Sequence, residues 1–225
     1  MATQLPLDLP TRTALGRDAY FISPSNAVAL ASIDNWRNWP NGKMILCGQK
    51  GAGKTHLAHV WATETNARII AACDLPTSDL SDLSTGALAV EDADQIAGNA
   101  DAEEALFHLH NMILAAGNSF LLTAQTPPTR WPLILPDLKS RMEGTSVTTL
   151  DQPDDTLLAA MLTKLFADRQ LSPSPEAVTY LLRYMERSAA EAVRIVALMD
   201  RRALSEGRKI SRTLAVEVLN DPRDI

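Results

Sequence analysis

Cysteine is scarce in this chain, which contains only Cys47 and Cys73. The two are isolated and form no CxxC pair, so the sequence predicts neither a zinc site nor a disulfide framework. Each ends an apolar run, and free cysteine is among the most buried residue types, so both are expected to be buried core thiols. Thiols of this kind fit a reducing cytoplasm.

Long apolar runs and an excess of positive charge are missing too. The stretch 111–129 is uncharged, but polar residues and two prolines interrupt it, so no transmembrane helix is predicted. The N-terminus lacks the basic and apolar segments of a signal peptide. We therefore expect a soluble cytoplasmic protein without a membrane partner.

The net charge of -6 argues against strong autonomous DNA binding, although basic residues crowd the C-terminal region: Arg194, Arg201, Arg202, Arg208, Lys209 and Arg212.

What the chain does contain is an alternation of strands and helices up to about residue 152. Apolar runs predict strands at 43–47, 67–73, 86–90, 119–123 and 145–150, and helical spacing predicts helices at 26–36, 54–65 and 101–116. This order predicts an α/β fold with a parallel sheet covered on both faces.

Beyond residue 152 only helices are predicted, at 154–169, 174–187, 189–206 and 211–219. Ser172-Pro173 and Ser188 are candidate caps, and Gly207 is a candidate stop. The sequence thus divides into an extended tail (1–12), an α/β core (13–152) and a small all-helical lid domain (153–225).

One motif is highly specific. Residues 48–55 match G-x-x-x-x-G-K-[ST], between a predicted strand and a predicted helix. The loop amides and the helix N-terminus would bind phosphate oxygens, Lys54 would reach the terminal phosphates, and Thr55 would ligate Mg²⁺. His56 follows on the helix surface beside the loop. The candidate binding residues are Gly48, Gln49, Lys50, Gly51, Ala52, Gly53, Lys54, Thr55 and His56.

Two carboxylates follow the third predicted strand, Glu91 and Asp92. An apolar strand that ends in two carboxylates is the Walker B pattern, in which the first holds the metal and the second polarises the attacking water. Glu91 stands where Asp is usual, and its longer side chain would shift the metal site. The alternative is a pair of solvated carboxylates at a strand end.

Several segments together resemble the AAA+ core of the DnaA family of bacterial replication initiators, and most closely its Hda-type regulators. They are Gly-Lys-Thr-His-Leu at 53–57, Leu-Lys-Ser-Arg at 138–141 and the tail at 4–9. The resemblance runs from Tyr20 to Leu219 and ends where DnaA continues into its DNA-binding domain. It implies an AAA+ P-loop NTPase core, a helical lid, and ADP or ATP with Mg²⁺.

The resemblance also implies roles for single residues. The segment Tyr20–Asn26 would line the adenine pocket, and Gln125 would be sensor 1, although it could be an ordinary loop residue. Arg141 would be an arginine finger acting in trans on a neighbouring subunit's nucleotide, with a surface arginine as the alternative. The sensor 2 position holds Ala190, which puts intrinsic hydrolysis in doubt. Arg187 or Arg194 would have to take the place of the sensor 2 arginine.

The tail resembles a peptide that binds the DNA sliding clamp. Gln4 would be its polar anchor, and Leu5, Leu7 and Leu9 its apolar anchors. The alternative is a tail whose leucines pack on their own domain. The expected function is a nucleotide-bound regulator that docks on the clamp (β subunit) and stimulates ATP hydrolysis by DnaA. An independent ATPase of helicase-loader type, a non-enzymatic adaptor and self-association stay open.

Overall fold

The computed structural model describes residues 21–220, so the tail residues Gln4, Leu5, Leu7 and Leu9 and also Tyr20 lie outside the described residues. Within this range five strands form one parallel sheet in the order β2-β3-β4-β1-β5. The strands are β1 (Lys43–Cys47), β2 (Arg68–Ala71), β3 (Leu88–Glu91), β4 (Phe120–Ala124) and β5 (Val147–Thr149).

Helices cover both faces of the sheet, as predicted. They are α1 (Ala27–Asp34), α2 (Lys54–Thr65), α3 (Leu80–Leu83), α4 (Ala100–Ala115) and α5 (Pro136–Glu143). The pleat of β1 divides its side chains between two apolar clusters, because successive residues of a strand point to opposite faces. Ile45 and Cys47 belong to the cluster with α4 and α5. Met44 and Leu46 belong to the cluster with α1 and α2.

The rest of the described chain is helical, with α6 (Asp155–Asp168), α7 (Pro175–Tyr184), α8 (Ala189–Glu206) and α9 (Arg212–Leu219). These helices enclose a third apolar cluster that includes Leu158, Phe166 and Ile195. Each begins at a side-chain cap that accepts a hydrogen bond from a backbone N–H of its first turn, which satisfies a donor that the helix itself leaves unpaired. The four caps are Asp154, Ser174, Ser188 and Ser211.

Some local predictions were wrong. The predicted strand at 67–73 ends at Ala71, because the chain then turns into a 3₁₀ helix, Ala72–Thr77. Cys73 lies in this turn and is exposed, whereas Cys47 is buried as expected. Helix α7 is capped by Ser174 rather than by Ser172. Helix α5 was not predicted, since prolines surround it; Pro136 occupies its first turn, where no intrahelical N–H is needed.

None of the helices between residues 21 and 220 is long and apolar enough to span a bilayer.

Candidate functional site

The three motifs that were predicted to bind nucleotide converge at one edge of the sheet. Strand β4 lies between β1 and β3, and all three are parallel, so their carboxyl ends meet at the same edge. The P-loop (residues 48–55) follows β1, Glu91 and Asp92 end β3, and Gln125 follows β4. Such an edge is where ligands bind in open α/β sheets.

The P-loop glycines are required by close contacts and by backbone conformation. A Cβ on Gly48 would lie 2.5 Å from the Leu150 carbonyl oxygen, and one on Gly51 would lie 2.5 Å from Cβ of Ser188. Gly51 and Gly53 also have φ angles of +82° and +105°, which residues with a side chain rarely adopt. Ser188 caps α8, so the N-terminus of this helix packs directly against the loop.

Backbone N–H donors at the start of α2, where the P-loop ends, have no acceptor in the described chain. Helix α2 begins without a side-chain cap, and the amides of Gly53, Lys54 and Thr55 have no acceptor among residues 21–220. The Lys54 side chain is buried, and its Nζ donates to the carbonyl oxygens of Gly48 (2.8 Å) and Gln49 (3.3 Å). Free amides at a helix N-terminus beside a buried ammonium are a suitable setting for phosphate oxygens.

The carboxylates of β3 differ in their environments. Oε1 of Glu91 is buried and has no hydrogen-bond partner in the described part of the chain. Asp92 is exposed, and its backbone N–H donates to the buried Thr123 hydroxyl (3.1 Å). An unsatisfied buried carboxylate oxygen costs free energy unless another group binds it. With the exposed Thr55, Glu91 and Asp92 provide oxygen donors of the type that Mg²⁺ prefers, so the side chains present fit this ion.

Gln125, the candidate for sensor 1, follows β4 and so lies between the P-loop and the carboxylates of β3. Its side chain lines a cavity of about 350 Å³ together with Gln49 of the P-loop. Asp94, which was not predicted from the sequence, fixes the backbone after β4. Its Oδ2 accepts hydrogen bonds from the N–H groups of Gln125 (2.9 Å) and Thr126 (3.3 Å). A carboxylate in a turn after a strand is a signal for such backbone bonds.

His56 is half-buried on α2. Burial lowers the pKa of its imidazole, and nearby His59 lowers it further. This environment keeps the side chain neutral beside the P-loop, so His56 adds no fixed charge to the candidate site.

The two candidate substitutes for sensor 2 are both engaged elsewhere. Arg187 donates from Nε to the Pro153 carbonyl (3.0 Å) and pairs with Asp155 (2.7 Å). Arg194 makes two 2.8 Å hydrogen bonds to the Glu191 carboxylate. Ala190 is exposed. In this arrangement both guanidiniums already face carboxylates of their own lid.

Arg141 is at the opposite edge of the sheet. Its carbonyl accepts a hydrogen bond from Nζ of Lys43 (3.2 Å), the first residue of β1, whereas the P-loop follows Cys47, the last. The two edges are roughly 13 Å apart along the strand. Arg141 is exposed, and its guanidinium has no ion pair within residues 21–220. It is therefore not part of the site formed by its own P-loop.

Solved structures share this architecture, although no family profile matches the chain. Domain III of the Thermotoga maritima replication initiation protein DnaA superimposes with a TM-score of 0.79 at 15% identity, covering 95% of this chain and 98% of that one. The chain has the AAA+ P-loop NTPase fold.

Two further structures have this AAA+ fold. AMPPCP-bound DnaA from Aquifex aeolicus gives a TM-score of 0.71 at 16% identity, covering 84% of this chain and 66% of that one. A Thermotoga maritima RuvB variant gives 0.64 at 18% identity, covering 87% and 67%. The chain thus spans about two thirds of the length of the longer DnaA structures and nearly all of domain III.

Proposed function

We propose that the chain is an AAA+ nucleotide switch that holds ADP or ATP at the P-loop edge. The support is the set of free amides at the start of α2 beside buried Lys54, together with the fold shared with a DnaA that binds AMPPCP. A bound Mg²⁺ would neutralise phosphate charge. Thr55, Glu91 and Asp92 are the residues that would hold it, directly or through water.

Intrinsic hydrolysis is expected to be weak. A cis arginine on the terminal phosphate normally comes from the sensor 2 position, and here that position is Ala190. Releasing Arg187 or Arg194 for this task would break the ion pairs with Asp155 or Glu191. We infer that the nucleotide acts mainly as a structural ligand that sets the position of the lid against the loop.

The finer proposal concerns Arg141. We propose that it acts in trans, on ATP held by the replication initiator DnaA, and so promotes hydrolysis there. The observation that carries this proposal is the position of the Arg141 guanidinium, which is exposed at the edge opposite to its own P-loop and has no ion pair with any residue from 21 to 220. A guanidinium from a neighbouring subunit stabilises the charge that develops during phosphoryl transfer.

The tail would bring the regulator to its place of action. Gln4, Leu5, Leu7 and Leu9 have the pattern of an extended peptide that inserts alternate side chains into the groove of a DNA sliding clamp. Docking on a clamp already loaded on DNA would raise the local concentration of the regulator near DnaA.

The test is ATP hydrolysis by the cognate DnaA with and without this protein, in the presence of DNA-loaded clamp. The proposal expects stimulation that disappears when residues 1–10 are deleted, while nucleotide binding by the truncated chain is unchanged. Absence of stimulation by the folded full-length chain, with clamp present, would contradict it.

A second candidate is an ATPase in its own right, of the helicase-loader type. The observation in its favour is the buried Oε1 of Glu91, which lacks a partner in the described chain and would be free to bind a metal ion. It predicts turnover by the isolated protein that is lost in Lys54→Ala. Turnover below detection in the unmodified chain would remove this candidate and leave the switch.

A further inference from the structure

A surface cavity at the edge opposite to the P-loop has no assigned function. Its volume is about 530 Å³, which is within the range of small-molecule sites. It lies where β1 and β4 begin and where α4 and α5 end. The lining residues are Asn41, Gly42, Lys43, His110, Leu114, Gly117, Asn118 and Arg141.

A buried lysine forms part of the wall. Lys43 is only 5% exposed. Its Nζ contacts Nε2 of His110 on α4 (2.9 Å) and donates to the Arg141 carbonyl on α5 (3.2 Å). The third ammonium proton has no acceptor in the part of the chain that the structure describes. A buried ammonium without a carboxylate is unusual, because desolvation of the charge is then not offset by an ion pair.

The charges around this cavity do not balance. Burial and the neighbouring Arg141 guanidinium both lower the pKa of Lys43, so the two cations lie close enough to repel each other. Burial and Lys43 lower the pKa of His110 to about 4, so the imidazole is neutral at pH 7 and accepts the hydrogen bond from Lys43. No carboxylate is among the lining residues. Among the residues that the structure describes, two basic residues therefore line one cavity to which no acidic residue contributes.

We propose that this cavity is a binding site for a phosphate-class oxyanion, held by Lys43 and Arg141. An oxyanion there would accept the remaining proton of the Lys43 ammonium and the N–H groups of the guanidinium, and would remove the repulsion between them. Asn41 and Asn118 line the same wall. Nδ2 of Asn118 donates one proton to the Ser84 carbonyl (2.8 Å), which leaves its second N–H as a neutral donor.

This site is distinct from the P-loop and adds a second cation to the proposed role of Arg141. The phosphate could be free in solution or could belong to a nucleotide held by a partner. A purely structural Lys43, which only ties β1 to α4 and α5, would predict lost stability on substitution but no anion affinity at the exposed Arg141.

The probe is sodium pyrophosphate, titrated calorimetrically into the full-length chain carrying Lys54→Ala, so that the P-loop does not compete. We expect saturable binding that weakens at least about tenfold when either Lys43→Met or Arg141→Ala is added. The matched control is Lys139→Ala, which removes an exposed charge from the same helix outside the cavity and should leave the affinity within about twofold.

The outcomes are separable. No saturable binding, or equal affinity in Arg141→Ala, overturns the proposal, and because Arg141 is exposed this variant decides the matter even if Lys43→Met fails to fold. If pyrophosphate binds but the chain never stimulates DnaA, the cavity stands and the proposed function fails. If Lys43→Met, in the otherwise unmodified chain, also loses stimulation of DnaA, the phosphate belongs to the partner; if stimulation is kept, the ligand is a free phosphate compound.

Discussion

The two ends of strand β1 carry two differently built candidate anion sites. Its carboxyl end leads into the P-loop, where the backbone supplies the donors and glycines make room for them. Its amino end carries Lys43, which joins His110 and the main chain of Arg141. One end depends on backbone geometry within eight consecutive residues. The other depends on side chains brought together from three separate elements.

This difference has consequences for which substitutions each end tolerates. At the P-loop end, added volume is harmful even where charge is unchanged, since the neighbours are backbone atoms and a helix cap. At the other end, charge is the sensitive property, since the cavity is open and its balance of charge is uneven.

Replacement of Gly48 by alanine should cost about 3 kcal/mol of unfolding free energy. The new Cβ would lie 2.5 Å from the Leu150 carbonyl oxygen, a backbone atom that cannot move without shifting the end of β5. Gly86→Ala is the matched control, because a Cβ there meets nothing within 4 Å. Denaturant unfolding of both variants decides the point, and equal midpoints would refute the steric account of the loop.

Removal of the P-loop ammonium should weaken nucleotide binding about 100-fold, because charge-assisted hydrogen bonds to the phosphates are lost. The experiment is titration of Lys54→Ala with a fluorescent ADP analogue. Lys139→Ala, exposed on α5, should bind as the unmodified chain does. A loss of less than threefold in Lys54→Ala would mean that the P-loop is not the nucleotide site.

The buried imidazole of His110 should make the free energy of unfolding fall at acidic pH. The pKa of the His110 imidazole is lowered to about 4 in the folded chain, whereas the pKa of histidine in an unfolded chain is about 6.5. Between these values the unfolded state binds the extra proton, so stability is present above pH 6.5 and falls as the pH drops. On going from pH 7 to pH 4.5 the unmodified chain should lose about 2 kcal/mol more than His110→Gln.

The control for this effect is His108→Gln, on the same helix but exposed. Its loss of stability over the same pH range should equal that of the unmodified chain. If His110→Gln also follows the unmodified curve, the buried imidazole is not the acid-sensitive group.

The smallest effect on stability is expected for substitution of Arg187, which contacts the start of α6. Arg187→Ala removes a half-exposed ion pair with Asp155 and a bond to the Pro153 carbonyl, which together contribute about 1 kcal/mol. Nucleotide affinity should stay within about threefold. A selective loss of ATP over ADP affinity, tenfold or more, would instead identify Arg187 as a substitute for the sensor 2 arginine.

The two ends of β1 also differ in how far the sequence alone predicts them. The bounds of β1 and α2 were predicted correctly, since both lie beside a motif whose spacing is local. The contact of Gly51 with Ser188 and the hydrogen bonds that Asp94 accepts from Gln125 and Thr126 were missed, because they join segments distant in the chain. The contact between Lys43 and His110 spans 67 residues, so no local pattern in the sequence indicates it. Helix α5, which carries Arg141, was hidden by the prolines around it.

The central claim is that one end of β1 serves the chain's own nucleotide and the other end serves a partner's. Its most direct test is single-turnover ATP hydrolysis by DnaA on DNA-loaded clamp, measured with Arg141→Ala and with Lys139→Ala. The account predicts that Arg141→Ala abolishes stimulation while still binding ADP and clamp, and that Lys139→Ala stimulates fully. Undiminished stimulation by Arg141→Ala would contradict the account.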